Sequence, residues 1–401
     1  MKKRVAIIGG GYGGIRVMQH LSAHAFLDVT LIDQHPFHFL QTEAYALIAQ
    51  QATLADVTVD LPALCHSYKN VTFVKALVEG VDFKAKRIDT DRGSSFYDYV
   101  VIAVGSRTFY PDTIPGLPEN SHGVKSLRHA FAFRQQFEQE LFARLYSEGD
   151  EEACRVFKIV VAGAGLSGVE IAAEMADYSR RFIRTNRMLC DGVEINLIAS
   201  HDEVLEGMHP HLKYHAQKRL LELGVRIVAN NRVTAVEPNR VLLTDGSAVA
   251  FDFMIFAGGV IAATLTEKLD VERNRKGQIE VTPEMAVVGR EDAFAVGDVA
   301  AIKGSDGRPV PATANGAEKE ADLVAANVLR SIRGERLLRR PVRLEGFIVA
   351  LGRYNAAVVL FDFFKFSGLL GYFMKRLITN RYKLLLDNRA YKTFRRPRSG
   401  A

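Results

Sequence analysis

The chain has 401 residues, of which 48% are hydrophobic and 24% charged, enough for two or three domains with full cores and too apolar for a disordered protein. No run of about eighteen apolar residues occurs, and Met1-Lys2-Lys3-Arg4 leads straight into a strand pattern, which predicts a cytoplasmic address with no signal peptide. The formal charge of +6 is concentrated at one end: residues 375–401 carry nine Lys or Arg against one acid, Asp387, pointing to an anionic surface at the C-terminus rather than to nucleic acid.

The first element expected is a buried strand over residues 5–8. It runs into Gly9-x-Gly11-x-x-Gly14 and then into a helical pattern of Ile15, Val17, Met18 and Leu21. Glycines at a strand-to-helix junction suit a dinucleotide: the first permits a tight turn, the second lets backbone amides approach a pyrophosphate, and the third lets the helix pack on the strand. A second strand, 29–32, ends at Asp33, where a carboxylate can accept from ribose hydroxyls. Residues 34–65 are aromatic at first and helical in period afterwards, placed to lie against a ring system; His35 and His38 there are read as packing or locally hydrogen-bonded groups. Strands follow at 71–78 and 97–104, with a polar hairpin between them at 91–93, and the second strand ends in Gly105-Ser106, where small residues let a loop pass close to a ligand.

A charged helical connector is expected over 123–150, and then the opening is repeated. Residues 157–162 form a strand pattern, Gly163-x-Gly165-x-x-Gly168 a second phosphate turn, and Val169-Glu170-Ile171 the start of a helix. Two such turns in one chain imply two dinucleotides, or a dinucleotide and a flavin, facing each other. The strand 194–198 ends in Ala199-Ser200-His201 rather than in an acid; with no carboxylate to read a 2′-hydroxyl and no Arg at position 200, NADH and NADPH both remain open. His209, His211 and His215 lack the Cys, Asp or Glu of a metal set and read as a solvated first turn after Pro210. The cysteines Cys65, Cys154 and Cys190 form no C-x-x-C pair, so no metal, disulfide framework or adjacent redox dithiol is expected, and each is read as a buried thiol. Residues 294–298 end a strand in Gly297-Asp298, and a helix should begin near 312–319.

The C-terminal part reads as a hairpin over 345–360 and then a helix. Leu369, Leu370, Phe373, Leu377 and Ile378 share one face, with Lys375, Arg376, Arg381 and Lys383 as cationic flanks. Such a helix can lie in a bilayer interface but cannot span one; burial in a dimer interface is the competing reading.

With these residues in view, the chain resembles the two-dinucleotide-binding flavoproteins and, within them, the type II NADH dehydrogenases, over nearly its whole length. The motifs that carry the resemblance are Gly-Gly-Gly-Tyr-Gly-Gly at 9–14, Asp33, Gly-Ala-Gly-Leu-Ser-Gly-Val-Glu at 163–170 and Ala-Val-Gly-Asp at 295–298. It implies an α/β fold of two Rossmann-like domains with a C-terminal membrane-associating segment. Residues 1–122 with 261–335 would bind FAD, 123–260 would bind NAD(P)H, and 336–401 would form the hairpin and amphipathic region.

FAD contacts are implied at Gly9, Gly11, Tyr12, Gly13, Gly14, Asp33, Val78, Ala103, Gly105, Gly297, Asp298 and Ala314, and nicotinamide-nucleotide contacts at Gly163, Gly165 and Gly168. The family's Pro-x-Thr-Ala-Gln stretch stands here as Pro311-Ala-Thr-Ala-Asn315. Asn315, and Lys319 at a further glutamine position of the family, are therefore expected at the quinone. Glu170, one turn into the second helix and so near the nicotinamide–flavin contact, is the expected positioning or proton-relay carboxylate. The implied activity is transfer of electrons from NADH or NADPH through the flavin to a quinone, without proton pumping, by a homodimer bound peripherally to the cytoplasmic face of the membrane. Two rivals stand beside it: a sulfide:quinone oxidoreductase, which needs paired cysteines at the flavin, and a redox-sensing flavoprotein with little turnover.

Overall fold

The computed structural model describes residues 2–146, 156–186, 192–304, 307 and 309–392. Its frame is one supersecondary unit used twice. In the first unit the parallel strands stand in the order Ala293–Ala295, Tyr99–Ile102, Lys3–Ile8, Leu27–Asp33, Val71–Lys75. In the second the order is Arg226–Val228, Val193–Ile198, Phe157–Ala162, Phe253–Phe256, again all parallel. Each unit inserts an antiparallel three-stranded meander before the strand flanking its glycine turn: Val78–Asp82, Arg87–Thr90 and Gly93–Phe96 in the first, Val233–Glu237, Arg240–Leu243 and Ala248–Ala250 in the second. The apolar runs form central strands because both their faces are covered; Ile7, Val101, Leu31, Ile159 and Leu197 are fully buried, as parallel sheets with helices on their faces require.

The units are joined by a short antiparallel ribbon in which Ser106–Thr108 pairs with Val260–Ala262. His122 already bridges to Ile255 in the second sheet. The C-terminal strands Gly346–Ala350, Ala356–Leu360 and Phe364–Phe366 form an antiparallel sheet, followed by the helix Gly368–Lys392, so the expected hairpin gains a third strand. The connector helix is Leu127–Tyr146. Residues 34–65 depart from one continuous helical stretch: they form the strand Phe37–Phe39, short helices at Ala44–Ile48 and Leu61–His66, and a break at Gln50, whose φ of 55° is incompatible with a continuing helix.

Both glycine turns are built on the same steric limits. Gly9 and Gly163 adopt φ of 109° and 114°, and a Cβ on either would fall 2.4 Å from the Ala103 carbonyl oxygen or 2.6 Å from that of Ala257. A Cβ on Gly14 or Gly168 would lie 1.9 or 1.8 Å from the carbonyl oxygen of Gly9 or Gly163, so only glycine lets each helix meet its strand. Gly11 and Gly165 face open space. Gly14→Ala is therefore expected to cost at least about 1–3 kcal/mol through overpacking, whereas Gly11→Ala leaves the fold stability within about 0.5 kcal/mol. Chemical denaturation of the two variants checks this; equal losses would contradict it.

Candidate active site

A single cleft of about 2000 Å³ runs along the carboxyl ends of the first sheet's strands and continues to the C-terminal helix. Its floor is the first glycine turn, 9–13, with Asp33 and Ala76 to Val78 on one side and Ala103 to Ser106 and Val296 to Asp298 on the other. The helix Ala314–Ile332 opens onto it through Ala314, Asn315, Glu318 and Lys319. Thr313 caps that helix by accepting from the Gly316 amide at 3.1 Å, as a helix start requires. From the second unit come Leu166, Ser167 and Glu170. The crevice beyond the carboxyl ends of parallel strands is where open α/β sheets bind ligands.

At the turn, Asp33 accepts from the Gly10 amide at 2.6 Å and from the His35 amide at 2.8 Å. Burial pushes its carboxyl upward and the two amides oppose that shift. Asp298 accepts from Ser106 Oγ at 2.5 Å and from Lys125 Nζ at 3.3 Å. The Gly297 amide is held from behind by Glu320 at 2.7 Å, whose carboxyl burial raises to about 7. Tyr12 donates to or accepts from Thr42 Oγ1 at 2.8 Å, with its ring edge-on to His38 at 4.8 Å and near Tyr382 at 5.2 Å. His38 Nε2 meets the Tyr382 hydroxyl at 3.2 Å, and burial pulls the imidazole down to about 3. It is a neutral packed histidine, as the sequence reading has it.

The far end of the cleft holds a cluster of buried charge. Lys375, 9% exposed, donates to both carboxylate oxygens of Glu43 at 2.8 and 2.9 Å and lies 4.8 Å from the centre of the Tyr45 ring. Thr379 Oγ1 donates to the same Glu43 at 3.0 Å. Glu170 Oε1 accepts from the Ala350 amide at 3.1 Å, and Glu174, 3% exposed, accepts from Gln51. Burial pushes both carboxyls up to about 8, so both are protonated at neutral pH.

Most residues singled out by motif meet in this cleft: Gly9, Gly11, Tyr12, Gly13, Asp33, Val78, Ala103, Gly105, Glu170, Gly297, Asp298, Ala314, Asn315 and Lys319 all line it. Gly14 is buried behind the turn, while Gly163, Gly165 and Gly168 lie at the second turn, outside the cleft lining. Lys319 pairs with Glu345 at 2.5 Å, and Asn315 Oδ1 accepts from the Glu345 amide at 3.3 Å, which ties the helix start to the C-terminal sheet. Lys375 is a correction: it is not a solvated flank of the C-terminal helix but faces inward, because Glu43 gives its ammonium a buried partner. Glu43, Glu174 and Thr379 carry no motif and were not foreseen; the sequence signals only Glu43, a lone acid ahead of the apolar run 44–49. His209 caps the helix Pro210–Glu222 by accepting from the His211 amide at 3.0 Å, and His211 Nε2 lies 3.0 Å from the Phe366 carbonyl. Cys65 is buried with its thiol raised to about 12; Cys154 and Cys190 lie outside the described residues.

The family model described as pyridine nucleotide-disulphide oxidoreductase matches residues 3–321. NADH dehydrogenase-like protein YutJ of Bacillus subtilis is 28% identical, over 88% of this chain and 90% of its own. The type II NADH:quinone oxidoreductase of Staphylococcus aureus is 26% identical over 95% of both. Among solved structures, NDH2 from Plasmodium falciparum in complex with NADH superposes with a TM-score of 0.83 at 17% identity, covering 99% of each chain; that likeness shows the fold. With a family model spanning both glycine turns and the Gly297-Asp298 strand end, the chain belongs to the pyridine nucleotide-disulphide oxidoreductase family.

Proposed function

We propose that this chain is an FAD-dependent NADH:quinone oxidoreductase working at a membrane surface. The observation that carries the reading is the continuity of one cleft from the first dinucleotide turn, past Glu170 of the second unit, to an inward face of the C-terminal helix. Near-full-length likeness to proteins named NADH dehydrogenase-like and type II NADH:quinone oxidoreductase supports it. The residues present fit FAD: Gly11 leaves the amides of the turn uncovered while Gly9 and Gly14 have no room for a side chain, and Asp33 and Asp298 stand at opposite sides of the cleft floor. Bound there, FAD would supply the two-electron redox chemistry by which NADH, a proton and quinone give NAD⁺ and quinol.

The chain's own groups orient and protonate. The helix beginning at Tyr12 directs its N-terminus at the pyrophosphate, Asp33 reads the ribose, and Asp298, steadied by Ser106 and Lys125, reads the sugar-like side chain. Val78, Ala103, Gly105 and Ala314 let ligand approach closely. Gly163, Gly165 and Gly168 hold the nicotinamide nucleotide on the second helix. Ser200, two residues beyond the strand Val193–Ile198, presents no carboxylate to repel a 2′-phosphate and no Arg to hold one, so NADPH stays open beside NADH. Glu170, protonated below about pH 8, donates a proton at the quinone end, where Asn315 and Lys319 border the acceptor. The C-terminal helix leaves Leu369, Leu370, Phe373, Leu377 and Ile378 45–64% exposed, and among the described residues no helix is long and apolar enough to cross a membrane. This face lies in the lipid interface on the cytoplasmic side.

In an anaerobic titration of the holoenzyme, NADH is expected to bleach the flavin absorbance and added quinone to restore it over many turnovers, and a parallel titration with NADPH decides whether it serves as a second donor. Bleaching by sulfide alone would install the sulfide:quinone reading; bleaching without reoxidation by quinone would install the redox sensor. In flotation with liposomes containing anionic lipid, the protein should rise with the vesicles, and Leu377→Glu with Phe373→Glu should leave it in the dense fraction. A wild-type protein that stays behind as a dimer would instead assign the apolar face to a homodimer interface.

A further inference from the structure

Two carboxyls, Glu43 and Glu170, and the Lys375 ammonium line one end of the cleft, with Glu174 buried near them, and their pairing is unequal. Glu43 accepts three hydrogen bonds from two donors, two from Lys375 and one from Thr379, all delivered by the C-terminal helix. Glu170 and Glu174 receive only neutral donors, the Ala350 amide and the Gln51 side chain, and among the described residues no ion pair joins either of them to Lys375. Burial dominates at both acids; through space Lys375 lowers them and Glu43 raises them, and Arg181 also lowers Glu174. Tyr12 and Tyr45 are held neutral by burial, and Asp177 is taken by Arg181 at 2.9 Å.

We propose that Glu43 is a positioning residue that claims Lys375 as its own counter-ion, keeping the ammonium's hydrogen bonds from Glu170 at the cleft and Glu174 behind it. A buried ammonium stabilises whichever carboxylate it is paired with. Bound to Glu43 it forms a unit with no net charge, and its influence on the neighbouring acids largely cancels. Without Glu43 the bare ammonium would draw the proton off Glu170 or Glu174. The consequence for catalysis rests on the quinone reading above, but the electrostatic claim does not, because it concerns groups that titrate in the absence of substrates.

The test is an infrared titration of the holoenzyme without nucleotide or quinone, following the protonated-carboxyl C=O stretch that Glu170→Gln removes. The wild-type midpoint is expected near pH 8. Glu43→Gln should move it to lower pH by about one unit, Lys375→Met should move it to higher pH by a similar amount, and the double variant should return it to within about 0.3 unit of wild type. The alkaline limb of quinone reduction should move in the same directions. A purely structural role for Glu43 would not give shifts of opposite sign that cancel. Should a single variant fail to fold with one charge buried alone, the double variant, which buries neither charge, still decides. A double variant as alkaline as Lys375→Met, or shifted upward at all beyond that margin, means that Lys375 serves Glu170 directly and overturns the proposal.

Discussion

A helix can begin hard against the end of a strand only where no side chain stands between them, and this chain meets that requirement twice. Gly14 and Gly168 each leave less than 2 Å for an absent Cβ before the carbonyl of Gly9 or Gly163. This close approach aims the first-turn amides of both helices at the carboxyl ends of the two sheets, where unsatisfied N–H groups and the helix dipole attract phosphate. Everything else is placed relative to those two turns. Asp33 braces the first from beneath through the Gly10 amide, and the ribbon of Ser106–Thr108 with Val260–Ala262 ties the units together close to Asp298.

The C-terminal helix has two unlike faces. Lys375, Thr379, Tyr382 and Leu386, at helical spacing, line the cleft; Leu369, Leu370, Phe373 and Leu377 face outward and remain exposed. On the proposed membrane reading, a water-insoluble acceptor entering along such a helix would pass from lipid toward the acids without crossing bulk water. Truncating one partner of the Glu43–Lys375 pair is expected to cost about 3–5 kcal/mol, because the other charge stays buried. The same pair therefore both anchors the helix and sets the electrostatics of the cleft.

The duplicated frame was legible in the sequence because its causes are local. Buried strands of Val and Ile, glycines at fixed offsets and a terminal Asp are each fixed by their immediate neighbours, and Thr313 and Pro210 announce the helix starts that follow them. Lys375 was misread for a physical reason: on the helix pattern alone it sits among Arg376, Arg381 and Lys383, and only Glu43, more than three hundred residues earlier in the chain, turns it inward. The breaks within residues 34–65 were likewise invisible, since the left-handed Gln50 carries no glycine to mark it. Long-range pairing of charge leaves little trace in periodicity, whereas backbone approach leaves glycine.

The measurement closest to the central claim is rapid mixing of the Glu170→Gln holoenzyme in two separate half-reactions, flavin bleaching by NADH and its recovery with quinone. If Glu170 supplies a proton at the quinone end, bleaching stays within about threefold of wild type, while recovery slows by about a hundredfold and loses its fall above pH 8. Slowed bleaching with unchanged recovery would contradict this account and assign Glu170 to the nicotinamide instead.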